Sequence, residues 1–331
     1  MDQAGILTTR LAFGAVLSAL IGWLAHRRGS LSRSGIAGAV ITGTLIFGMG
    51  GLLAGLLLIA FFTSSSALSH YKASRKRDVA EKFDKSSQRD LGQALANGGA
   101  ATIAATVSGV WLWSAPLEPA FIATPAILFG ALVGALATVN ADTWATEIGV
   151  LSKHPPRLII RPGQVVEAGT SGGVTLLGTL AALAGAVFIG AMTLMLGLLL
   201  MESIHALVRA YGVSAATMSR SIDAGVWVAN ILPVTPNDLS ASRSILLSAA
   251  LAAPVAGVVG ALTDSVLGAT VQGIYYDAAR RKETEKPFNQ YGAPNRLSRG
   301  WRWLNNDWVN FLSSLAGAAV GALAVALSLS R

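Results

Sequence analysis

Apolar residues come in long unbroken runs along this chain. Six of them, 4–25, 92–113, 119–139, 173–200, 243–271 and 308–330, reach the roughly 20 residues that a helix needs to cross the hydrocarbon core of a bilayer. None alternates apolar with polar in the way a barrel strand would, so the spans are expected to be helices. A further stretch, 34–66, has basic segments at both ends and Gly48, Gly50 and Gly51 near its middle. Positive charge on both flanks requires the chain to enter and leave on one side, which predicts a short or re-entrant hairpin bent at those glycines. The expected fold class is all-α, a polytopic membrane helix bundle of about 7–8 membrane segments, forming one domain over residues 1–331. The first run has neither a basic leader nor a clear small-residue cleavage site, so it is read as a retained helix.

Composition fits this reading. Hydrophobic residues make up 53% of the chain and charged ones 13%, against about a quarter charged in soluble domains. The lack of cysteine rules out disulfides, thiolate metal sites and cysteine nucleophiles. His26, His70, His154 and His205 are scattered without metal-ligand spacing. A net charge of +8 raises the question of nucleic acid, but twenty of the 25 Lys and Arg fall in 26–33, 67–91, 140–172 and 272–307. The positive-inside rule accounts for them: these loops are expected on the cytoplasmic side of a multi-pass cell-membrane protein, with the bilayer and not nucleic acid as partner. Small-xxx-small pairs such as Gly51/Gly55, Gly130/Gly134 and Gly317/Gly321 predict close helix packing. Trp111, Trp113, Trp301, Trp303 and Trp308 read as interface anchors. A short echo links "VGALATVNAD" (133–142) to "VGALTD" (259–264), each ending on an aspartate.

The polar residues that do not fit a plain bundle gather in the loops of one face. Asp264 lies toward the cytoplasmic end of a span, where an acid is costly by several kcal/mol unless paired or hydrated, and is functional by default. Asp142 and Glu147 follow another span; on an unbroken helix they point different ways, so they converge only if the helix breaks. Oxygen ligands without sulfur or imidazole suit Mg²⁺ bridging nucleotide phosphates, with an ordinary cap or interface acid as the alternative. Gly169, Thr170, Ser171, Gly172 and Gly173 precede an apolar run, so their N–H groups and the following helix start could cradle an anion. No lysine follows to make a Walker A loop. The same letters fit G-x-S-x-G by accident, since no strand-turn-helix context surrounds them. Arg89, Gln93 and Asn97 form one polar stripe at i, i+4, i+8; a basic helix near anionic lipid is the alternative for this segment. Asn306 and Asn310 share a face entering the last span, where amides bind a polar headgroup or cap the helix.

These blocks together carry a resemblance. "NADTWATEIGVLS", "PRLI", "GTSGGVTLLGT", "DSVLGATVQ" and "NNDWVN", with "SSS", "RD" and "QALANGG" upstream, resemble an integral-membrane family of long-unassigned function that includes the plant chloroplast phytyl-phosphate kinase of tocopherol synthesis. The likeness runs from about residue 34 to 315. The family in turn looks like the CTP-using phytol and dolichol kinases and phosphatidate cytidylyltransferases. The resemblance implies transfer of the γ-phosphoryl group of CTP to an isoprenyl (phytyl or polyprenyl) monophosphate. It implies Mg²⁺ on Asp142, Glu147 and Asp264, phosphates on Gly169 to Gly173, and orientation by Arg89, Gln93 and Asn97. One departure stands out: Gln164, Val165 and Val166 precede Glu167 where the cytidylyltransferase-type loop often has a lysine. The neutralising cation is then open among Lys153, Arg157, Arg161 and the 72–89 loop. Cytidylyl transfer to a lipid phosphate, a transporter without nucleotide turnover, and a lipid-binding scaffold are the competing readings. Monomer and homodimer both stay open.

Overall fold

The computed structural model describes residues 3–72, 88–114, 123–211 and 239–330. Its helices are α1 (Gln3–Arg27), α2 (Arg33–His70), α3 (Leu91–Ser114), α4 (Ala123–Gly149), α5 (Leu176–Tyr211), α6 (Leu239–Thr270) and α7 (Asn306–Leu329). All seven are long and apolar enough to cross a membrane. The expected polytopic helical bundle is therefore what the chain forms. Residues 73–87 of the basic loop, the turn at 115–122 and the segment 212–238 lie outside the described residues.

The starts of the helices follow local chemistry. Ser32 caps α2 by accepting from the Gly35 N–H at 3.1 Å, and Asn305 caps α7 by accepting from Trp308. Asp90 and Gln93 form a reciprocal capping box at α3, each side chain accepting from the other's backbone N–H at 2.9 and 3.1 Å. At α5, Thr175 Oγ1 accepts from Gly178. These bonds satisfy N–H groups that have no partner within the first turn.

The hairpin expected at 34–66 lies within α2. Gly51 has φ 81° and ψ −178°, a backbone conformation outside the helical region that a residue with a Cβ rarely adopts. A Cβ on Gly55 would run into the ring of Phe47, so the chain doubles back across the bend. The foot of the hairpin shows the same reversal. Arg89 is hydrogen-bonded through its backbone to Ser30 and Ser32, before the outgoing arm, and through its guanidinium to Ser66, on the returning arm. Arms 33–50 and 52–70 are about 27 and 29 Å long at 1.5 Å per residue, so they are close to full crossings. The bend reaches the level of Leu11 in α1 and Gly109 in α3, near the far ends of both helices.

Helix α4 is the axis of the bundle and touches α2, α3, α5, α6 and α7. Phe129, Leu132, Val133 and Leu136 on it are fully enclosed and form the core with Ile46, Leu57, Ile189, Ile245 and Leu246. On its α7 side, Gly130 and Gly134 lie against Gly321 and Gly317, and a Cβ at any of the four would strike the backbone carbonyl opposite. The small-xxx-small spacings of α4 and α7 thus meet each other, as close packing requires. On its α6 side, Gly257 lies against Ala137 and Gly260 against Thr138, so α4 and α6 run parallel in that register. Asp142 and Asp264, each four residues further on, come to the same level. The sequence echo at 133–142 and 259–264 marks these two parallel helices.

Two features depart from the sequence reading. Residues 140–149, assigned to a loop, are the last turns of α4, which continues unbroken to Gly149. The polar segments at this end also fold into sheets. β1 (Arg157–Leu158), β2 (Arg161–Val165) and β3 (Gly173–Val174) pair in the order β2-β1-β3. β4 (Ile274–Asp277), β5 (Lys282–Thr284) and β6 (Arg296–Arg299) pair in the order β5-β4-β6. Strands this short carry no apolar periodicity, which is why the sequence hides them.

Candidate functional site

A cavity of about 1150 Å³ opens at the loop end of the bundle. The candidate acids, polar stripe, glycine turn and headgroup amides all line it: Asp142, Glu147 and Asp264, then Arg89, Gln93 and Asn97, the turn Gly169 to Gly173, and Asn306 with Asn310. They come from α3 and the residues just before it, α4, α6, α7 and the segment before α5, far apart in the chain.

The acids are not equivalent. Asp142 has no hydrogen-bond or ion-pair partner among the described residues. Asp264 is within electrostatic reach of Asp142 and of Glu285. Its only short polar contact among the described residues is Ser313 Oγ at 3.4 Å, a hydroxyl that also lies 2.9 Å from the Asn310 carbonyl. A hydroxyl has one proton, and the nearer acceptor takes it. Two carboxylates thus face one space with most of their lone pairs unused. Glu147 stands apart: because α4 does not break, it turns toward the hairpin, where it accepts from Ser69 Oγ at 2.6 Å and attracts Arg89. Among the described residues no three acids or histidines converge as ligands of one ion.

Arg89 is held at the foot of the hairpin. Its guanidinium donates to Ser66 Oγ at 3.2 Å and lies 5.8 and 5.6 Å from the ring centres of Phe61 and Phe62. Burial pulls its pKa below the usual arginine value, and the nearby Glu147 acts against that shift. Among the other cations considered, Lys153 lines the cavity, whereas Arg157 donates to the Pro162 carbonyl and neither it nor Arg161 reaches the wall. Arg302, which the sequence reading left as a solvated loop residue, also lines it.

The amides divide in the same way. Asn97 has no hydrogen-bond partner among the described residues and faces the cavity, while the Gln93 carbonyl is engaged in the α3 capping box. Asn305 caps α7, which leaves the side chains of Asn306 and Asn310 to the cavity. Asn140, next to the acids in sequence, is buried: it accepts from Ser64 and Ser65 and donates to the Gly185 carbonyl at 2.7 Å, bolting α2, α4 and α5 together.

The glycine turn is built as an anion cradle would be. Gly169 and Gly172 have φ of 80° and 82°, and Gly172 packs so tightly on Ala269 that no Cβ fits. The N–H groups of Thr170 and Gly173 are used inside the turn. Those of Gly169, Ser171 and Gly172 have no partner among the described residues, and successive unpaired N–H groups of this kind bind anions. Ser171 Oγ is engaged in donating to Gln272 Oε1 at 2.6 Å, and His205, the histidine downstream of it, lies about 40 Å along α5.

The turn is also tied to α6 from the second sheet. Arg299 on β6 donates to the Gly268 carbonyl at 2.8 Å and to the Ser171 carbonyl at 3.2 Å, and Gln272 passes from Ser171 to Glu285. Burial lowers the Arg299 pKa, with Glu283 and Glu285 opposing. Sequence reasoning missed Glu285, Tyr275, Arg302 and this clamp; their signal was only Gln272, the last letter of the "DSVLGATVQ" block.

Comparison with known proteins agrees with the membrane architecture. Residues 16–318 match the family described as integral membrane protein DUF92. The chain is 33% identical over 312 residues to Protein PGR of Arabidopsis thaliana, covering 92% of this chain and 93% of that protein. It is 32% identical over 187 residues to the uncharacterized membrane protein MJ0933 of Methanocaldococcus jannaschii, covering 55% of this chain and 69% of that one. No solved structure matches it.

Proposed function

The chain belongs to the DUF92 family of integral membrane proteins, and from that premise we propose that it transfers the γ-phosphoryl group of CTP to an isoprenyl monophosphate at the cytoplasmic face of the membrane. The observation that carries this reading is that one cavity brings these groups together. It gathers two carboxylates and a glycine turn whose N–H groups are underpartnered among the described residues, and the cations Arg89, Lys153 and Arg302, at the polar end of a membrane bundle.

Asp142 and Asp264 fit Mg²⁺ by chemistry, being oxygen donors whose charges face each other with no cation in contact among the described residues. They would hold the ion, and bound there it would offset the charge of the nucleotide phosphates. Glu147, engaged with Ser69, would order Arg89 rather than join them. The turn at 169–173 would receive phosphate oxygens on its N–H groups, and Asn97, Asn306 and Asn310 would orient the acceptor phosphate.

In the reaction an oxygen of the acceptor phosphate attacks the γ-phosphorus, the bond to the β-phosphate oxygen breaks, and CDP leaves. The attacking oxygen is already ionised, so no protein nucleophile and no general base are needed. Positioning and neutralisation carry the rate.

The test is to incubate purified protein in lipid with Mg²⁺, labelled CTP and phytyl or geranylgeranyl monophosphate. Lipid diphosphate and CDP are expected together. Pyrophosphate with a CDP-lipid product would replace this reading by cytidylyl transfer. Folded protein that turns over no nucleotide would end the enzyme reading and favour a transporter.

A further inference from the structure

The wall of the cavity changes character around its rim. Toward α3 and α7 it is made of Gln93, Asn97, Asn306 and Asn310, and toward the loops of the glycine turn and Lys153. Between α5 and α6 it is made of Gly178, Thr179, Ala182, Val258, Ala261 and Leu262. These are small or apolar groups.

That wall is also a seam to the outside. The exposed stripe of α6 runs through Leu247, Leu251, Val255, Val259, Leu262 and Val266 at helical spacing, the apolar face a membrane helix turns to lipid. Leu262, 41% exposed, belongs both to that stripe and to the cavity wall. Across the seam, Thr179 is exposed beside Leu176, Leu180 and Leu183 on α5 and lines the cavity as well. Deeper in the bundle the two helices are shut against each other, with Gly257 on Ala186, Gly190 on Ala250 and Gly197 on Leu246. At the loop end the closure between them is made by alanine side chains, Ala182 and Ala261 belonging to one small buried cluster with Ala141 and Ala186, with Thr179 and Leu262 at its edge.

Resting on the phosphoryl-transfer reading of this cavity, we propose that the hydrocarbon tail of the acceptor lipid phosphate enters and lies through the seam between α5 and α6, at Thr179 and Leu262. Its phosphate then faces Asp142 and Asp264. The nucleotide, polar throughout, enters from the aqueous side past Lys153 and Arg302. The cavity volume of about 1150 Å³ exceeds the roughly 300–1,000 Å³ typical of a pocket for one small ligand, as two substrates require. The seam lets the tail stay in lipid while its phosphate reacts, so the apolar chain is never transferred to water.

The absence of cysteine makes the test clean. In vesicle-reconstituted protein, farnesyl monophosphate bearing a diazirine on its tail is photolysed and the adducts are mapped. Labelling centred on residues 179–182 and 258–262 is expected; labelling confined to other helices overturns the seam whether or not the protein turns over. A second arm introduces Thr179→Cys with Leu262→Cys and bridges them with a bis-maleimide. Bridging is expected to lower kcat/KM for farnesyl monophosphate about tenfold or more while CTP binding is unchanged. Full farnesyl turnover after complete bridging overturns the proposal. Labelling at the seam without CTP turnover in unbridged protein would leave the seam standing and remove the kinase reading instead.

Discussion

At the residue scale, neighbours in sequence separate by what their side chains meet. Asn140 and Asp142 belong to one block, yet Asn140 is a buried bolt between helices and Asp142 faces the cavity without a partner among the described residues. Asp142→Asn and Asp264→Asn each keep the shape and remove the charge. Both are expected to lower CDP formation by about a hundredfold or more, the scale of losing one electrostatic contact to a transition state. Neither should lower the melting temperature, because neither carboxylate makes an ion pair among the described residues whose loss would cost stability. Turnover retained in both variants would remove these acids from the site. The sequence marked Asp264 through its cost in a span and Asp142 through the polar block that follows another, but left Glu147 grouped with them. The unbroken α4 separates it, and its Ser69 contact shows where it points.

At the element scale, α2 shows how much one glycine decides. Charge on both flanks required a reversal somewhere in 34–66, and the cluster at 48–51 located it closely. What the sequence left open was which glycine bends: Gly51 alone takes the extended positive-φ conformation, while Gly48 packs against Leu11. Gly51→Ala is therefore expected to destabilise the protein by about 1–3 kcal/mol, the cost of that backbone conformation for a residue with a Cβ. Gly48 tests packing instead, so a larger side chain there should act through contact with α1. Denaturant titration of both variants in detergent separates the two effects, and an unaltered Gly51→Ala midpoint would contradict strain at the bend.

At the scale of the whole molecule, the site exists because distant segments are clamped. Arg299 and Gln272 tie the glycine turn to the end of α6, joining the second sheet to the first. Arg299→Gln is expected to lower stability by about 1–3 kcal/mol, as loss of hydrogen bonds from a charged donor does. On the proposed phosphoryl-transfer reading it is also expected to raise the KM for nucleotide more than it lowers kcat, because a loosened turn would bind phosphate less well in ground and transition state alike. Steady-state kinetics read that split; a fall in kcat alone would place Arg299 elsewhere in the mechanism.

The sequence by itself determined the spans, the hairpin and the end of the bundle where polar chemistry gathers. Each of these follows from a local free energy: apolar length against bilayer thickness, charge against the cost of crossing, a glycine against its backbone conformation. Only the tertiary structure decided that α4 and α6 lie parallel with Asp142 beside Asp264, that Glu147 turns away, and that Arg299 closes the glycine turn. Those facts depend on which glycine faces meet across helices and on hydrogen bonds spanning more than a hundred residues, such as Arg299 to Ser171. No periodicity along the chain records such meetings, because they are set by packing between elements rather than by the propensity of any one.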